Sequence, residues 1–222
     1  PPGHHAESER PMGFCLVNTI AVLAREAQRK YGAERVAIVD FDVHHGNGTQ
    51  DIFYADPSVL YASSHQMPLY PGTGYPSEAG IGNIFNCRLA PNDGGKEFRA
   101  AFTDRILPAV EAFRPDLIIV SCGFDAHWRD PLASINLTED DFRWATRLVL
   151  DAADRLCGGR VVSLLEGGYD LQALGEMQIG MAGEARHHGL RHIGISQEVA
   201  GGEAILSLGH RIRAQGLGAA VM

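Results

Sequence analysis

The sequence predicts an α/β protein, a three-layer α/β/α sandwich around a mostly parallel sheet. Three observations predict it. Short runs rich in β-branched residues recur at 36–41, 59–63, Leu117–Cys122 and Val161–Leu165. Most are apolar throughout rather than alternating, as in strands covered on both faces. Helical patterns separate them, and such alternation of element types calls for helices on both sides of one sheet.

The elements follow in order. Residues 16–31 set Leu16, Ile20, Leu23, Ala24 and Ala27 on one stripe, which predicts an amphipathic helix. The runs at 36–41 and 59–63 supply two strands. A second helical stretch, 97–113, follows the Gly94-Gly95 pair and leads into the strand at Leu117–Cys122. The third helix, 138–156, opens with Thr138 as N-cap and Asp141 three residues later, the spacing of a capping box. The strand Val161–Leu165 follows it. From Gly175 onward the composition changes: glycines are frequent, His187, His188, His192 and His210 appear, and strong strand signals are absent. This tail fits a helical appendage, a loosely ordered extension, or a segment foreign to the parent fold. No internal repeat is apparent.

The 222 residues suit one domain, or one domain plus an appendage, and 45% hydrophobic content is enough for a core. The formal net charge of −8, with no basic run, argues against direct nucleic-acid binding and suits a cationic substrate. No apolar run reaches the ~20 residues of a membrane span. Cys15, Cys87, Cys122 and Cys157 stand far apart, so structural zinc and a disulfide framework are not expected; a reducing compartment, the cytoplasm, is. The chain opens Pro1-Pro2-Gly3 without an initiator Met, which places the expected N-terminus upstream. The sequence specifies no oligomeric state.

Asp42 and His44 follow the first predicted strand, Asp125 the third, and Tyr169 the last, through Glu166-Gly167-Gly168. All lie just past carboxyl ends of parallel strands, where open α/β sheets build their sites. In extended chain the Asp-x-His spacing would turn both side chains to one side. Two carboxylates and one imidazole, with a position left for water, describe a catalytic zinc site; Fe(II) is a possible occupant as well. A lone Asp-x-His is more often an N-cap beside a hydrogen-bonded histidine. The functional reading rests on its company, the His4-His5 pair and the Gly-Gly-Tyr turn. Motifs H-E-x-x-H, G-x-S-x-G and the phosphate-binding loop are absent. The sequons at Asn47 and Asn136 read as chance, and the tail histidines as solvated. His45 reads as structural, while His65 and His127 fit either the rim of a site or the surface.

Six segments then stand in order: Pro2-Gly3-His4-His5-Ala6, Gly13-Phe14-Cys15, Asp40-Phe41-Asp42-Val43-His44-His45-Gly46-Asn47-Gly48-Thr49, Pro71-Gly72-Thr73-Gly74, Gly123-Phe124-Asp125-Ala126-His127 and Glu166-Gly167-Gly168-Tyr169. Together they resemble the signature of the arginase/deacetylase fold, and most resemble the class II histone deacetylase-like amidohydrolases of the histone deacetylase superfamily. The likeness runs from residue 1 to about 174. It implies a deacetylase catalytic domain over 1–174, incomplete at its N-terminal side, with 175–222 as an atypical tail where a regular closing helix would be expected.

The resemblance implies zinc held by Asp42, His44 and Asp125. It implies His4 and His5 beside the reacting water, with His5 as general base, and Tyr169 donating to the substrate carbonyl. Asp40 would orient His4, and Asn47 would orient His5 where some relatives use an aspartate. Gly13, Phe14, Tyr70, Gly167 and Gly168 would line the acyl-lysine tunnel. A structural potassium ion would sit among Asp40, Asp42, His44 and Ser63, largely on backbone carbonyls. The implied substrate is an acetylated lysine peptide or protein, or an acetylated polyamine.

Neighbouring readings separate on single residues. Arginase-like enzymes resemble one another in further carboxylates that would fall at Gly46 and His127, so one metal is expected here. An acetylpolyamine amidohydrolase is the closer rival, and a catalytically inactive fragment or binding module is a third reading.

Overall fold

The computed structural model describes residues 2–187. Twelve segments follow one another: α1 (Thr19–Tyr31), β1 (Val36–Asp40), α2 (Asn47–Phe53), β2 (Val59–Gln66), β3 (Ile84–Leu89), α3 (Gly95–Ala101), a π-helical turn (Phe102–Ile106), α4 (Leu107–Phe113), β4 (Leu117–Cys122), α5 (Glu139–Cys157), β5 (Val161–Leu165) and α6 (Leu171–His187). The strands form one sheet in the order β3-β2-β1-β4-β5, and every pairing is parallel.

The predicted sandwich is present, and strand periodicity builds it. Ala37 and Val39 of β1 point into the core formed with α3, α4, α5 and α6, where Phe98, Phe102 and Phe142 are fully buried. Val36 and Ile38 point to the other face, against Ile20, Ala21 and Ala24 of α1 and Phe53 of α2. Successive residues on opposite faces, each meeting a helical layer, explain why the strands read as continuously apolar.

Several elements differ from expectation. Helix α1 begins at Thr19 because Asn18 caps it, its side chain accepting from the N–H of Ala21 at 2.9 Å. Leu16 therefore lies outside the helix and is exposed. Strand β3 was not anticipated; its sequence IFNCRL alternates with polar residues because β3 edges the sheet. Helix α2, which begins at Asn47, has no counterpart among the predicted helices. The stretch 97–113 is divided by its π turn. Pro108 lacks an N–H for the helical ladder, and a widened turn just before it accommodates that loss. Thr138 caps α5 as expected, its N–H and hydroxyl both donating to Asp141 Oδ2 at 2.9 Å.

Residue 175 falls inside α6, so the compositional change there does not coincide with an element boundary. Helix α6 packs on α5 through the Arg147–Glu184 ion pair, and Met177 and Met181 enter the core. His188, His192, His210 and the rest of 188–222 lie outside the described residues. Among the described residues, no helix is long and apolar enough to cross a membrane.

Candidate metal centre

Strand β1 runs through the middle of the sheet and ends at Asp40, in register with Ser63 of β2 and Ser121 of β4. Beyond it the chain bends rather than staying extended. The N–H of Asp42 donates to Asp40 Oδ1 at 3.1 Å, and that of His44 to Asp42 Oδ1 at 2.8 Å. These successive turns, each closed by an aspartate side chain, bring Asp42 and His44 to one side. Asp125, beyond β4, is fixed by the N–H of Val43 donating to its Oδ1 at 2.9 Å.

One ligand-type atom from each of Asp42, His44 and Asp125 lies within 4.8 Å of the other two. Nδ1 of His44 is 3.1 Å from Asp42 Oδ1 and 3.0 Å from Asp125 Oδ2. Both aspartates are buried. Burial and the Asp42 charge push Asp125 up, toward about 7. Burial works against a charge on His44, but its hydrogen bonds to Asp125 and Asp42, which accept, outweigh it and lift the imidazole to about 10. A pair of buried carboxylates facing each other calls for a cation between them. The backbone leaves room for them. A Cβ on Gly167 would stand 2.2 Å from Asp125 Oδ2 and 2.7 Å from Asp42 Oδ2, while its N–H donates to Asp42 Oδ2 at 2.7 Å. The N,O donor set and this glycine-lined cradle fit a divalent metal.

The histidine pair adjoins the triad. His4 Nδ1 is 3.0 Å from Asp40 Oδ2, and its Nε2 is 3.8 Å from Asp42 Oδ1. Burial opposes a charge on His4, yet Asp40, Asp42 and Glu166 together hold its pKa well above the ordinary imidazole value. His5 behaves oppositely: burial and the neighbouring His4 push it down to about 3. Its Nδ1 is 2.9 Å from Asn47 Oδ1. Two adjacent imidazoles are thus driven apart, one toward the charged form and one toward the neutral. Tyr169 is 39% exposed, and its N–H donates to Asp130 Oδ2 at 2.8 Å. Burial and the Asp125 and Asp42 charges raise its hydroxyl pKa, so the phenol stays a donor.

With this geometry in view, a family model described as the histone deacetylase domain matches residues 1–182. The chain belongs to the histone deacetylase family. It is 49% identical over 178 residues to "Histone deacetylase 10, chloroplastic" of Oryza sativa subsp. japonica, covering 78% of this chain and 40% of that protein. It is 46% identical over 175 residues to a histone deacetylase-like amidohydrolase of Pseudomonas aeruginosa, covering 76% and 46% respectively. Two crystal structures share the fold. The HD domain of HDA15 gives a TM-score of 0.78 at 41% identity, covering 86% of this chain and 54% of that one. An acetylpolyamine aminohydrolase from Burkholderia pseudomallei gives 0.76 at 34%, covering 83% and 54%. The chain spans about half the length of these relatives.

Around this centre, the residues expected to line a tunnel are placed unevenly. Gly13 adopts φ 55°, and a Cβ there would stand 2.3 Å from the His5 ring. The Tyr70 ring stands edge-on to His5 at 5.1 Å and to His44 at 6.4 Å. Gly168 lies against Phe124, whereas Phe14 is 75% exposed. His45, His65 and His127 are buried and bonded. His45 pairs with Thr73 and Gln50, His65 with Ser63 and the Gly74 carbonyl, and His127 with Glu139 and the N–H of Arg129. A cavity of about 440 Å³ opens at the amino ends of β2 and β3, away from this centre, lined by residues such as Leu60, Phe85 and Phe113.

Sequence reasoning missed four supporting side chains. Tyr61 donates to Asp40 Oδ2 at 2.9 Å. Glu166 accepts from the N–H groups of Gly3 and His4, Asp130 holds Tyr169, and Glu7 accepts from Asn47 Nδ2 at 2.8 Å. Glu166 and Glu7 stood inside or beside the quoted motifs, and their place there was the available signal; Glu166 is buried and Glu7 partly so.

Proposed function

We propose that this chain carries the active centre of a zinc-dependent hydrolase that removes an acetyl group from the side-chain amide of a lysine or a related amine. The observation that carries this reading is the buried convergence of Asp42, His44 and Asp125 beside two imidazoles of opposite electrostatic character. Zinc held by Asp42, His44 and Asp125 would supply Lewis-acid polarisation of the amide carbonyl and acidify the attacking water; Fe(II) would fit the same donors.

The side chains divide the remaining work. Nε2 of neutral His5 takes the proton from the attacking water and returns it to the leaving amine nitrogen. His4, paired with Asp40, supplies a positive charge beside the developing oxyanion, and the Tyr169 hydroxyl donates to that oxygen. Asp40 and Asn47 orient the two imidazoles. Gly13, Phe14, Tyr70, Gly167 and Gly168 form the acyl channel. A potassium ion among Asp40, Asp42, His44 and Ser63 is supported by the cross-strand pairing of Asp40 with Ser63. The catalytic unit is residues 1–174 with the remainder of α6. Four buried free thiols support a reducing compartment such as the cytoplasm.

A second substrate reading, an acetylated polyamine, is favoured by likeness to the acetylpolyamine aminohydrolase. The test measures metal content together with hydrolysis of an acetyl-lysine peptide and of an acetylated diamine, for the native chain and for Asp125→Ala. About one zinc per chain and peptide turnover, both lost in Asp125→Ala, are expected. Turnover of the diamine alone would move the substrate class; a folded chain that binds no metal would overturn the reading.

A further inference from the structure

An asparagine amide beside a neutral imidazole decides which ring nitrogen carries the proton, provided something decides which way the amide faces. Asn47, the first residue of α2, is buried and lies between two partners. Its Oδ1 is 2.9 Å from His5 Nδ1, and its Nδ2 donates to Glu7 Oε1 at 2.8 Å. An ionised carboxylate only accepts, so the NH₂ end of the amide must face Glu7. The sulfur of Met12 lies on the same side, 3.3 Å from Nδ2, and it too only accepts. The oxygen end is thereby turned to His5, whose Nδ1 must carry the proton and whose Nε2 keeps its lone pair.

Without the carboxylate, the flipped amide occupies nearly the same volume. It would present NH₂ to Nδ1, which could then only accept, and the proton would move to Nε2. A base acting through Nε2 would be lost in that fraction of molecules. Glu7 is itself held in place. Arg10 donates to both its carboxylate oxygens at 3.2 and 3.1 Å, and the N–H of Glu7 donates to the Arg10 carbonyl at 3.0 Å.

We propose that Glu7 is a positioning residue that acts through the Asn47 amide to hold His5 in the tautomer protonated at Nδ1. Its catalytic consequence rests on His5 being the general base; the tautomer itself is a property of the folded chain. The two are tested separately, by nitrogen-15 chemical shifts of the His5 ring in the full chain and by kcat and KM on an acetyl-lysine peptide. The variants are Glu7→Ala, Glu7→Gln and the double variant Glu7→Ala/Asn47→Asp.

The native chain should show His5 protonated at Nδ1. Glu7→Ala should mix the tautomers and lower kcat about ten-fold with KM within about two-fold, a loss of part of a general base's contribution. Glu7→Gln, which keeps an accepting oxygen and the size of the side chain, should fall between. The double variant should restore the Nδ1–H tautomer and most of kcat, because an aspartate at 47 accepts in either orientation. A His5 ring still protonated only at Nδ1 in Glu7→Ala and Glu7→Gln would overturn the proposal. So would a kcat loss in a folded Glu7→Ala chain that the double variant leaves unchanged. If the native chain turns over no acetylated amine, the reading of the site fails, while the nitrogen shifts still decide the role of Glu7.

Discussion

The carboxylate of Glu166 accepts a hydrogen bond from the backbone N–H of Gly3 at 2.6 Å, across 163 residues of chain. The same oxygen accepts from the N–H of His4 at 3.1 Å, and the other accepts from the Ser121 hydroxyl at 2.7 Å. One buried side chain past β5 therefore fastens the histidine segment to the sheet edge that carries the metal centre.

Removing that fastening should cost turnover without costing metal. Glu166→Ala leaves two buried N–H groups unpaired and frees His4 and His5 to shift. A displacement near an ångström lowers kcat by about 100-fold. Glu166→Gln can still accept from both N–H groups while donating to Ser121, and should retain most activity. Zinc content and kcat measured on both variants check this; equal losses in the two would point to the charge rather than the tether.

Gly167→Ala should weaken metal binding. Its Cβ would collide with carboxylate oxygens of Asp125 and Asp42, and its N–H helps hold Asp42. Perturbing groups that orient metal ligands lowers affinity by roughly 10- to 100-fold. A competition titration against a chelator measures it, and unchanged affinity would show that the carboxylates are not confined as the geometry requires.

Tyr169→Phe should separate chemistry from binding. The ring stays and the hydroxyl goes, so metal content and KM should hold while kcat falls by about 100- to 1,000-fold, the usual cost of an oxyanion donor. Retention of full kcat would assign the carbonyl hydrogen bond to another group.

The contribution of two buried neutral histidines to stability should fall as the pH drops below neutrality, before most carboxylates titrate. Burial pushes His65 down to about 4 and His45 down to about 2. Each folded-state pKa lies below its unfolded value, so the unfolded chain binds the extra protons. The stability these neutral rings carry is complete above about pH 6.5 and drains away toward the folded pKa values. His65 alone accounts for about 3 kcal/mol between pH 6.5 and 4. Denaturant titrations at pH 8 and pH 4.5 should show a smaller drop for His65→Gln than for the native chain, whatever its stability at pH 8. An identical drop would exclude His65 as a source.

Much of the fold was legible because the buried strands announce themselves. VAIVD and LIIVSC are apolar on both faces, and only a sheet between two helical layers makes such runs stable. Strand β3 was not legible, since Asn86 and Arg88 interrupt it and its pairing is settled by the neighbouring β2. The length of α6 was obscured by Gly175, Gly180 and Gly183, residues of low helix propensity that packing on α5 overrides.

The sequence by itself determined strands β1, β2, β4 and β5 and the places of Asp42, His44 and Asp125 just past the ends of β1 and β4, because strand periodicity depends on neighbouring residues. Only the tertiary structure decided which partners Glu166, Glu7, Tyr61 and Asp130 serve. Each acts across a gap in the chain, and whether a buried polar group is satisfied depends on what the fold brings within hydrogen-bond distance of it.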